Sequence, residues 1–360
     1  MTSRERVMTA LNHQKPDRTP RLLYGEVIGY VPAVEKLLTE KCAPKTPREY
    51  FDMDITGIAA NTTRLPRDRF EDWIGKRVKG LSTIPDLPVD EWGVWWRPGS
   101  LHHFVHIESP LAGIEDFDRL REYPWPDLDR EYRFEGVAEK VASLHTEGLA
   151  VASYAGAIYE HAWYLRGLED TLEDMLLRPQ IAHFLFDHTA YYQKSVAVAM
   201  ARAGVDIIIL GDDVAMQTGL TMSLDIWRTF LKPRLRATIK AVKDAYPLAK
   251  IFYHSDGNVT SLVPELIEVG VEILNPVQPE CVNPAELKQK YGKELAFWGA
   301  VSVQKTMPFG TPDDVKNEVR ERIRTLGYNG GYILSPAHVL EPEVPWENIM
   351  AFFEAADERI

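Results

Sequence analysis

Short runs of apolar residues alternate with longer stretches of helical period along this chain. Positions 207–210 read Ile-Ile-Ile-Leu, a pattern typical of a strand that is covered on both faces. Runs of this kind predict eight strands, at residues 21–26, 55–61, 149–154, 206–211, 250–254, 271–276, 295–299 and 331–335.

Helical segments fall between these strands, and several begin with capping patterns. Thr2 and Glu5 have the spacing of a capping box. Asn283 and Thr311 each precede a proline and first-turn acidic residues, as N-cap residues do. A long helical pattern over residues 223–245 is expected to kink or break at Pro233.

The alternation of strands and helices predicts a parallel sheet, and eight such units predict an α/β fold closed as a (β/α)8 TIM barrel. An open doubly wound sheet is the alternative, but no glycine-rich dinucleotide turn follows an early strand. Residues 94–108 depart from the alternation and predict a hairpin about Pro98-Gly99, inserted after strand two. Because we find no linker or internal repeat, we expect a single domain over residues 1–360.

Composition and charge narrow the class of protein. The 360 residues include 41 Lys and Arg against 53 Asp and Glu, a formal net charge of −12, which disfavours nucleic-acid binding. Cys42 and Cys281 are the two cysteines, too few for a disulfide scaffold or an iron–sulfur cluster. With no signal peptide and no membrane-spanning run, we expect a cytoplasmic protein that does not contact the membrane.

The chemistry is expected at one end of the barrel, because the active sites of such barrels lie at the C-terminal ends of the strands. Polar and aromatic residues at or just past those ends are the candidates for binding a substrate: Tyr24, Asn61, Tyr154, Gln217, Asn275, Gln278 and Trp298. Among them, Tyr24, Tyr154 and Trp298 are aromatic and are expected to line the pocket.

A metal site is predicted where histidine and acidic residues end neighbouring strands. His254 and Asp256 are two positions apart, so they share a face if strand geometry persists. His338 follows strand eight, and Glu280 follows strand six. Two imidazoles with one or two carboxylates suit a first-row metal, and zinc is the expected ion.

Other roles are open for these residues. A histidine at a strand end is often a hydrogen-bonding or acid–base group, and Asp256 can cap the turn that follows it. Cys281 is a soft ligand in principle, although a single cysteine there is also ordinary loop packing.

Acidic residues at other strand ends are candidate catalytic groups. Asp212 and Asp213 follow strand four, and because neighbours on a strand point oppositely, one of them is expected to face the cavity. A carboxylate there can act as a general acid or base, or it can be a structural group bonded to loop amides. Glu26, at the end of strand one, is grouped with them.

One cluster of histidines and one cluster of tryptophans lie in or near the predicted hairpin. His102, His103 and His106 are interpreted as part of a solvated or cleft-lining strand. The tryptophans at 92, 95 and 96 either stack on a planar ligand or form core beneath the hairpin.

Several sequence blocks resemble one family. They are residues 2–7, 16–20, 211–213, 217–219, 254–257, 274–278, 309–312, 335–338 and 345–348. On these blocks the chain resembles the uroporphyrinogen decarboxylase superfamily nearly end to end, and more closely its corrinoid-linked methyltransferase branch. The resemblance implies an enzyme with the barrel fold.

Departures from the family patterns refine what the resemblance implies. True uroporphyrinogen decarboxylases resemble one another in an arginine-rich loop after strand one, which would hold substrate carboxylates; here residues 23–27 contain no arginine. The family's zinc methyltransferases carry a His-x-Cys on strand five and a Cys after strand eight. This chain has His254, Asp256 and His338 at those positions, a harder ligand set that is less suited to activating a thiol.

The resemblance therefore implies a zinc-dependent methyltransferase that demethylates a small methoxy or methylamine donor. The methyl group would pass to Co(I) of a corrinoid carried by a partner protein, because the barrel is expected to use the whole chain. A homodimer is the working expectation for the assembly. The alternatives are a metal-independent decarboxylase or lyase that uses Asp212 or Asp213 as its acid, and a non-catalytic barrel that binds a tetrapyrrole or a partner.

Overall fold

The described part of the chain comprises residues 1–74, 89–98 and 105–358 of a computed structural model. Its strands, in chain order, are β1 (Ile55–Gly57), β2 (Trp95–Pro98), β3 (Val105–Glu108), β4 (Ala150–Ala157), β5 (Ile207–Gly211), β6 (Ala215–Met216), β7 (Gly219–Leu220), β8 (Lys250–His254), β9 (Ile273–Asn275), β10 (Ala296–Val301) and β11 (Tyr332–Pro336).

Helices connect these strands. They are α1 (Ser3–Leu11), α2 (Gly25–Ile28), α3 (Pro32–Cys42), α4 (Pro47–Phe51), α5 (Glu71–Ile74), α6 (Phe117–Arg121), α7 (Val137–Thr146), α8 (Tyr159–Arg166), α9 (Leu168–Leu177), α10 (Pro179–Arg202), α11 (Leu224–Phe230), α12 (Lys232–Ala245), α13 (Val263–Val269), α14 (Pro284–Tyr291), α15 (Thr306–Phe309), α16 (Pro312–Leu326) and α17 (Trp346–Ala356), with 3₁₀ turns at Arg67–Phe70 and Glu131–Phe134.

The main sheet has seven parallel strands in the order β1-β4-β5-β8-β9-β10-β11. All five residues of β5 are buried, because the sheet interior covers one face of the strand and helices such as α10 pack on the other. This α/β architecture, with helices between parallel strands, confirms the predicted fold class.

The eighth position of the barrel is filled by a very short segment around Arg21. Leu22 N–H donates to Leu334 O at 3.1 Å, and Leu334 N–H donates to Pro20 O at 2.8 Å. On the other side, Asp54 N–H donates to Arg21 O at 3.0 Å. The segment therefore joins β11 to the start of β1 and closes the sheet.

The predicted first strand, residues 21–26, is wrong in its extent. Its ladder bonds stop early: Leu23 N–H faces the sulfur of Met53 at 3.2 Å rather than a strand carbonyl. Tyr24 already has helical dihedral angles, and α2 begins at Gly25. A Cβ at Gly25 would lie 2.3 Å from the ring of Tyr30, so this tight turn requires glycine.

Most helix signals in the sequence are confirmed. The Thr2 capping box is present, and Asn283 and Thr311 accept hydrogen bonds from first-turn amides. The helical pattern over residues 223–245 breaks after Phe230, with Pro233 in the first turn of α12. A proline is tolerated there because first-turn amides have no partner within the helix.

The predicted hairpin after the second barrel strand is confirmed in its strands. β2 pairs with β3 in antiparallel register, with Trp95 opposite Glu108. Trp92 and Trp95 are buried, so both contribute to the core. The turn residue Gly99 and the histidines 102 and 103 lie outside the described residues.

Within the described residues, the helices lack the combination of length and apolarity that a bilayer crossing requires.

A buried carboxylate stabilises the closure of the barrel. Asp54 is fully buried and accepts hydrogen bonds from Arg6 at 2.6 Å, from Arg18 at 2.6 Å and from the amide of Arg21 at 2.9 Å. The side chain therefore ties α1, the loop before Arg21 and the start of β1 together.

We expect Asp54→Ala to lower the free energy of unfolding by about 3–5 kcal/mol, because it leaves Arg6 and Arg18 without their buried partner. Asp52→Asn is the control: Asp52 also pairs with Arg18, but its side chain is 71% exposed, so the loss should stay below about 1 kcal/mol. Urea unfolding measures both. Equal losses in the two variants would contradict the role assigned to Asp54.

Candidate functional site

The strand register brings residues from distant parts of the chain to one edge of the sheet. β5 pairs with β8 so that Gly211 lies beside His254, and β8 pairs with β9 so that His254 lies beside Asn275. His338 follows the end of β11 at Pro336. Because the strands are parallel, these residues all lie at the C-terminal mouth of the barrel.

His254, Asp256 and His338 form a compact group at this mouth. One ligand atom from each lies within 4.8 Å of the others, and the two imidazole centroids are 5.7 Å apart. The structure therefore brings together three of the four residues proposed as metal ligands. Glu280 lies outside this group, and its carboxylate accepts a hydrogen bond from the hydroxyl of Ser302.

A hydrogen-bond chain sets the orientation of the His254 imidazole. Asn275 Nδ2 donates to Trp298 O at 3.1 Å, so Asn275 Oδ1 faces His254 Nδ1 at 2.6 Å. Since this oxygen only accepts, Nδ1 carries a proton. Nε2 then faces the carboxylates, 3.6 Å from Asp213 and 3.9 Å from Asp256. An outer partner of this kind is typical of histidines that bind metals.

The two imidazoles have different electrostatic surroundings. Burial works to lower the pKa of His254, but the carboxylates of Asp213 and Asp256 outweigh it and the pKa is raised. Burial lowers the pKa of His338, and the nearby charge of Asp256 opposes this only in part. The lowered pKa of His338 favours the neutral imidazole, the form that donates a lone pair to a metal.

The two adjacent aspartates point in opposite directions, as expected for neighbours on a strand. Asp212 is buried and accepts the amides of Tyr159 at 2.5 Å and Glu160 at 3.0 Å, so it caps the start of α8. Asp213 turns to the mouth, where it accepts the amide of Asp256 at 2.8 Å. Asp213 thus has the more direct access to the candidate site.

Glu160 is a functional candidate that the sequence did not reveal. It lies at the start of α8, and burial, together with the charge of Asp213, raises its pKa to about 7. The hydroxyl of Tyr164 donates to its carboxylate. The strand before it was predicted to end at Tyr154, whereas β4 continues to Ala157. The longer strand brings Glu160 to the mouth.

A cavity of about 470 Å³ opens beside the group of three. Asp256 and His338 line it, together with Gln278, Glu341 and Glu343. Its described lining includes no lysine or arginine, so the cavity favours a neutral or positively charged ligand over a carboxylate.

The conformation of residue 257 helps to place Asp256. Gly257 has a positive φ of 84°, and a Cβ there would lie 2.6 Å from Met216 O. Its amide donates to Gln278 Oε1 at 3.1 Å. Gln278 therefore supports the loop and also lines the cavity.

Tyr24 and Trp298 lie beneath the group of three. The Tyr24 ring is 6.0 Å from each of the His254 and His338 rings and 6.4 Å from that of Trp298. Both aromatic residues are buried, so they form the floor of the site.

The remaining candidates are not members of the group of three. Glu26 accepts from the hydroxyls of Thr56 and Tyr30, both at 3.1 Å, and burial raises its pKa. Gln217 is exposed between β6 and β7. Asn61 donates to the backbone of Tyr132 and Glu135, and Tyr154 is 40% exposed.

A second cavity, of about 190 Å³, lies at the ends of β1 and β4. Tyr154 lines it, together with Trp92 and His161, whose rings stack with centroids 4.7 Å apart. We refer to it below as the β4 cavity.

An α/β barrel with clustered imidazoles and carboxylates at the C-terminal mouth is the architecture of a barrel enzyme. Comparison with known proteins gives the family. The family model described as "Uroporphyrinogen decarboxylase (URO-D)" matches residues 93–359. The chain belongs to the uroporphyrinogen decarboxylase family.

The individual relatives are named either as decarboxylases or as methyltransferases. Uroporphyrinogen decarboxylase of Trichodesmium erythraeum is 24% identical over 289 residues, 73% of this chain and 78% of that protein. Methylcobamide:CoM methyltransferase MtaA of Methanosarcina barkeri is 31% identical over 163 residues, 45% of this chain and 44% of that protein. The structure of a methyltransferase from Methanosarcina mazei is similar with a TM-score of 0.67 at 20% identity, over 99% of this chain and 98% of that one. The resemblance to the decarboxylase superfamily and its methyltransferase branch is thereby confirmed.

His161 should make stability depend on pH. Burial lowers its pKa from 6.5 to about 4, so between these pH values the unfolded chain binds a proton that the folded chain does not. Folding stability is therefore expected to fall as the pH drops through this window, by up to about 1.4 kcal/mol per pH unit. His161→Phe keeps an aromatic ring beside Trp92 and removes the titration. Urea unfolding from pH 7 to 4 compares the two proteins; parallel pH profiles would contradict the assignment.

Proposed function

We propose that this protein is a metal-dependent methyltransferase that demethylates a small methoxy or methylamine donor and transfers the methyl group to Co(I) of a corrinoid on a partner protein. The observation that carries the proposal is the convergence of His254, Asp256 and His338 within 4.8 Å, beside a cavity of about 470 Å³. Similarity to a methyltransferase named for methylcobamide, which is a methylated corrinoid, supports a corrinoid as the reaction partner.

The residues present fit a zinc ion. Two imidazole nitrogens and one carboxylate oxygen form a ligand set that catalytic zinc sites use, with a position left for substrate. Asn275 supplies the outer hydrogen bond that such a histidine ligand needs. Bound there, zinc would supply a Lewis acid for the methyl-bearing heteroatom.

The chain's own residues would bind the methyl donor and supply the proton that its heteroatom takes up after demethylation. The methyl group leaves its heteroatom for Co(I), and the bonding electrons stay on the heteroatom, which then takes a proton. Glu160, whose pKa is raised to about 7, can hold that proton at its carboxylate. Tyr24 and Trp298 close the floor of the site, which limits the access of water from below.

The charge of the cavity supports methyl transfer over the decarboxylation of a carboxylated substrate. Asp256, Glu341 and Glu343 line it, and no basic residue offsets them among its described lining. An anionic substrate would meet like charges, whereas a neutral ether or a neutral amine would not. The many relatives named decarboxylases keep that reaction as the alternative to test.

Zinc binding is the first test. We expect purified protein to hold stoichiometric zinc by elemental analysis, and His254→Ala and His338→Ala to lose it. Asn275→Ala should retain the ligands but weaken zinc affinity by about 10–100-fold in chelator competition. Gln217→Ala, in an exposed turn, is the matched control and should bind zinc as the wild type does. Stoichiometric zinc in both histidine variants would refute the site.

Methyl transfer is the second test. Incubation with cob(I)alamin and methylamine or a methoxy compound should give the absorption spectrum of methylcob(III)alamin. The rate in His254→Ala should fall by on the order of 100-fold or more, since Lewis-acid polarisation contributes several kcal/mol. Carbon dioxide release from a carboxylated porphyrinogen, undiminished in the zinc-free variants, would instead establish the decarboxylase alternative.

A further inference from the structure

The cavity beside the group of three is larger than the smallest methyl donors need. Its volume is about 470 Å³, whereas a water molecule takes up about 30 Å³ in the liquid. Methanol and methylamine have only two heavy atoms each, so either would leave most of this space unfilled. Pockets for drug-sized ligands enclose about 300–1,000 Å³. The cavity therefore has room for a donor with a substantial hydrocarbon part.

Apolar side chains share the lining of this cavity with two of the candidate metal ligands. Asp256 and His338 line it, and so do the side chains of Val303, Pro308, Phe309 and Val339. Each of these four apolar residues keeps accessible surface, so each is available to a ligand. A molecule that fills the cavity can thus place a polar atom near the candidate metal ligands and its hydrocarbon part against the apolar residues.

Phe309 is the largest of the apolar residues and is 77% exposed. Its backbone position at the end of α15 is fixed on both sides. The buried amide of Asn348 donates to Met307 O at 2.8 Å and to Gly310 O at 2.9 Å, and the Met307 side chain is fully buried. One exposed apolar residue is ordinary on a protein surface, but this one lies on a firmly anchored segment at the edge of a cavity.

The lining also selects the charge and the shape of the ligand. Asp256, Glu341 and Glu343 disfavour an anion, and the described lining offers no basic residue to offset them. The phenyl ring of Phe309 favours another ring, because aromatic pairs gain more than their buried area alone provides. A neutral aromatic molecule fits both conditions.

The chemistry of the proposed reaction favours an aromatic donor as well. Co(I) supplies the electron pair for the new Co–C bond, the methyl–oxygen bond breaks, and its electron pair stays on the oxygen, which takes up a proton. A phenol has a pKa of about 10, as tyrosine does, whereas bulk water has a pKa of about 15.7 and simple alcohols resemble it. An aryl oxide is therefore the better leaving group.

We propose that this cavity binds a neutral aryl methyl ether, with its ring against Phe309 and its ether oxygen towards His338 and Asp256. The inference deepens the proposed function and rests on it, because it names the class of methyl donor. It selects an aromatic methoxy compound over methanol and methylamine.

The experiment compares three probes: methoxybenzene, methoxycyclohexane, which has a ring of similar size without aromaticity, and methanol. Dissociation constants come from NMR titration of each probe with the purified protein. We expect methoxybenzene to bind at least tenfold more tightly than methanol and about threefold more tightly than methoxycyclohexane. Phe309→Ala should weaken methoxybenzene about tenfold and abolish its advantage over methoxycyclohexane.

Control variants separate the contact with the ring from a general loss of apolar surface. Leu177→Ala removes a side chain that is 72% exposed on α9 and does not line the cavity, so it should bind all three probes as the wild type does. Phe309→Tyr keeps an aromatic ring and should bind methoxybenzene within about twofold of the wild type. Thermal melting checks that each variant is folded.

The outcomes distinguish this inference from the proposed function. Equal binding of methoxybenzene and methoxycyclohexane, or unchanged binding in Phe309→Ala, would overturn the aryl ether pocket, even if methylamine methylates cob(I)alamin. A preference for methoxybenzene that depends on the ring at position 309 would support the pocket. If the same protein methylates cob(I)alamin from no donor, the proposed reaction fails and the pocket stands.

Discussion

Closure of the parallel sheet is the constraint on which the rest of the structure depends. A parallel sheet is stable when both faces and both edges are covered, and here the last edge is closed by three residues around Arg21 that bond to β11 and to the start of β1. So short a segment contributes few ladder bonds. The buried carboxylate of Asp54 therefore stabilises this junction between β11 and β1. It accepts hydrogen bonds from the side chains of Arg6 and Arg18 and from the amide of Arg21.

Closure also determines where chemistry can occur. Once the strands are parallel and the sheet is curled, their C-terminal ends meet, and side chains more than eighty residues apart, such as His254 and His338, become neighbours. Residues behind the candidate metal ligands then set the orientation of their side chains. Asn275, fixed by the carbonyl of Trp298, turns the lone-pair side of the His254 ring towards the mouth. The metal-capable geometry is thus a property of two strand ends and the strand beside them.

The mouth is divided into two regions of different polarity. Around the candidate metal site, acidic groups line a cavity whose described lining has no basic residue, so it disfavours an anionic ligand. At the ends of β1 and β4, the β4 cavity contains a basic residue, Arg133, which pairs with Asp127 and Glu91.

The sequence by itself determined the barrel class, the capped helices, the inserted hairpin and the residues at the strand ends. These follow from local periodicity, turn chemistry and the rule that parallel strands share a functional end. Tertiary structure decided the rest. The first strand is limited to the short segment around Arg21, because its ladder of hydrogen bonds ends at Leu23. Glu160 reached the mouth because β4 continues to Ala157. The capping role of Asp212 and the position of Asn275 behind His254 depend on contacts between segments far apart in the chain, which no local pattern encodes.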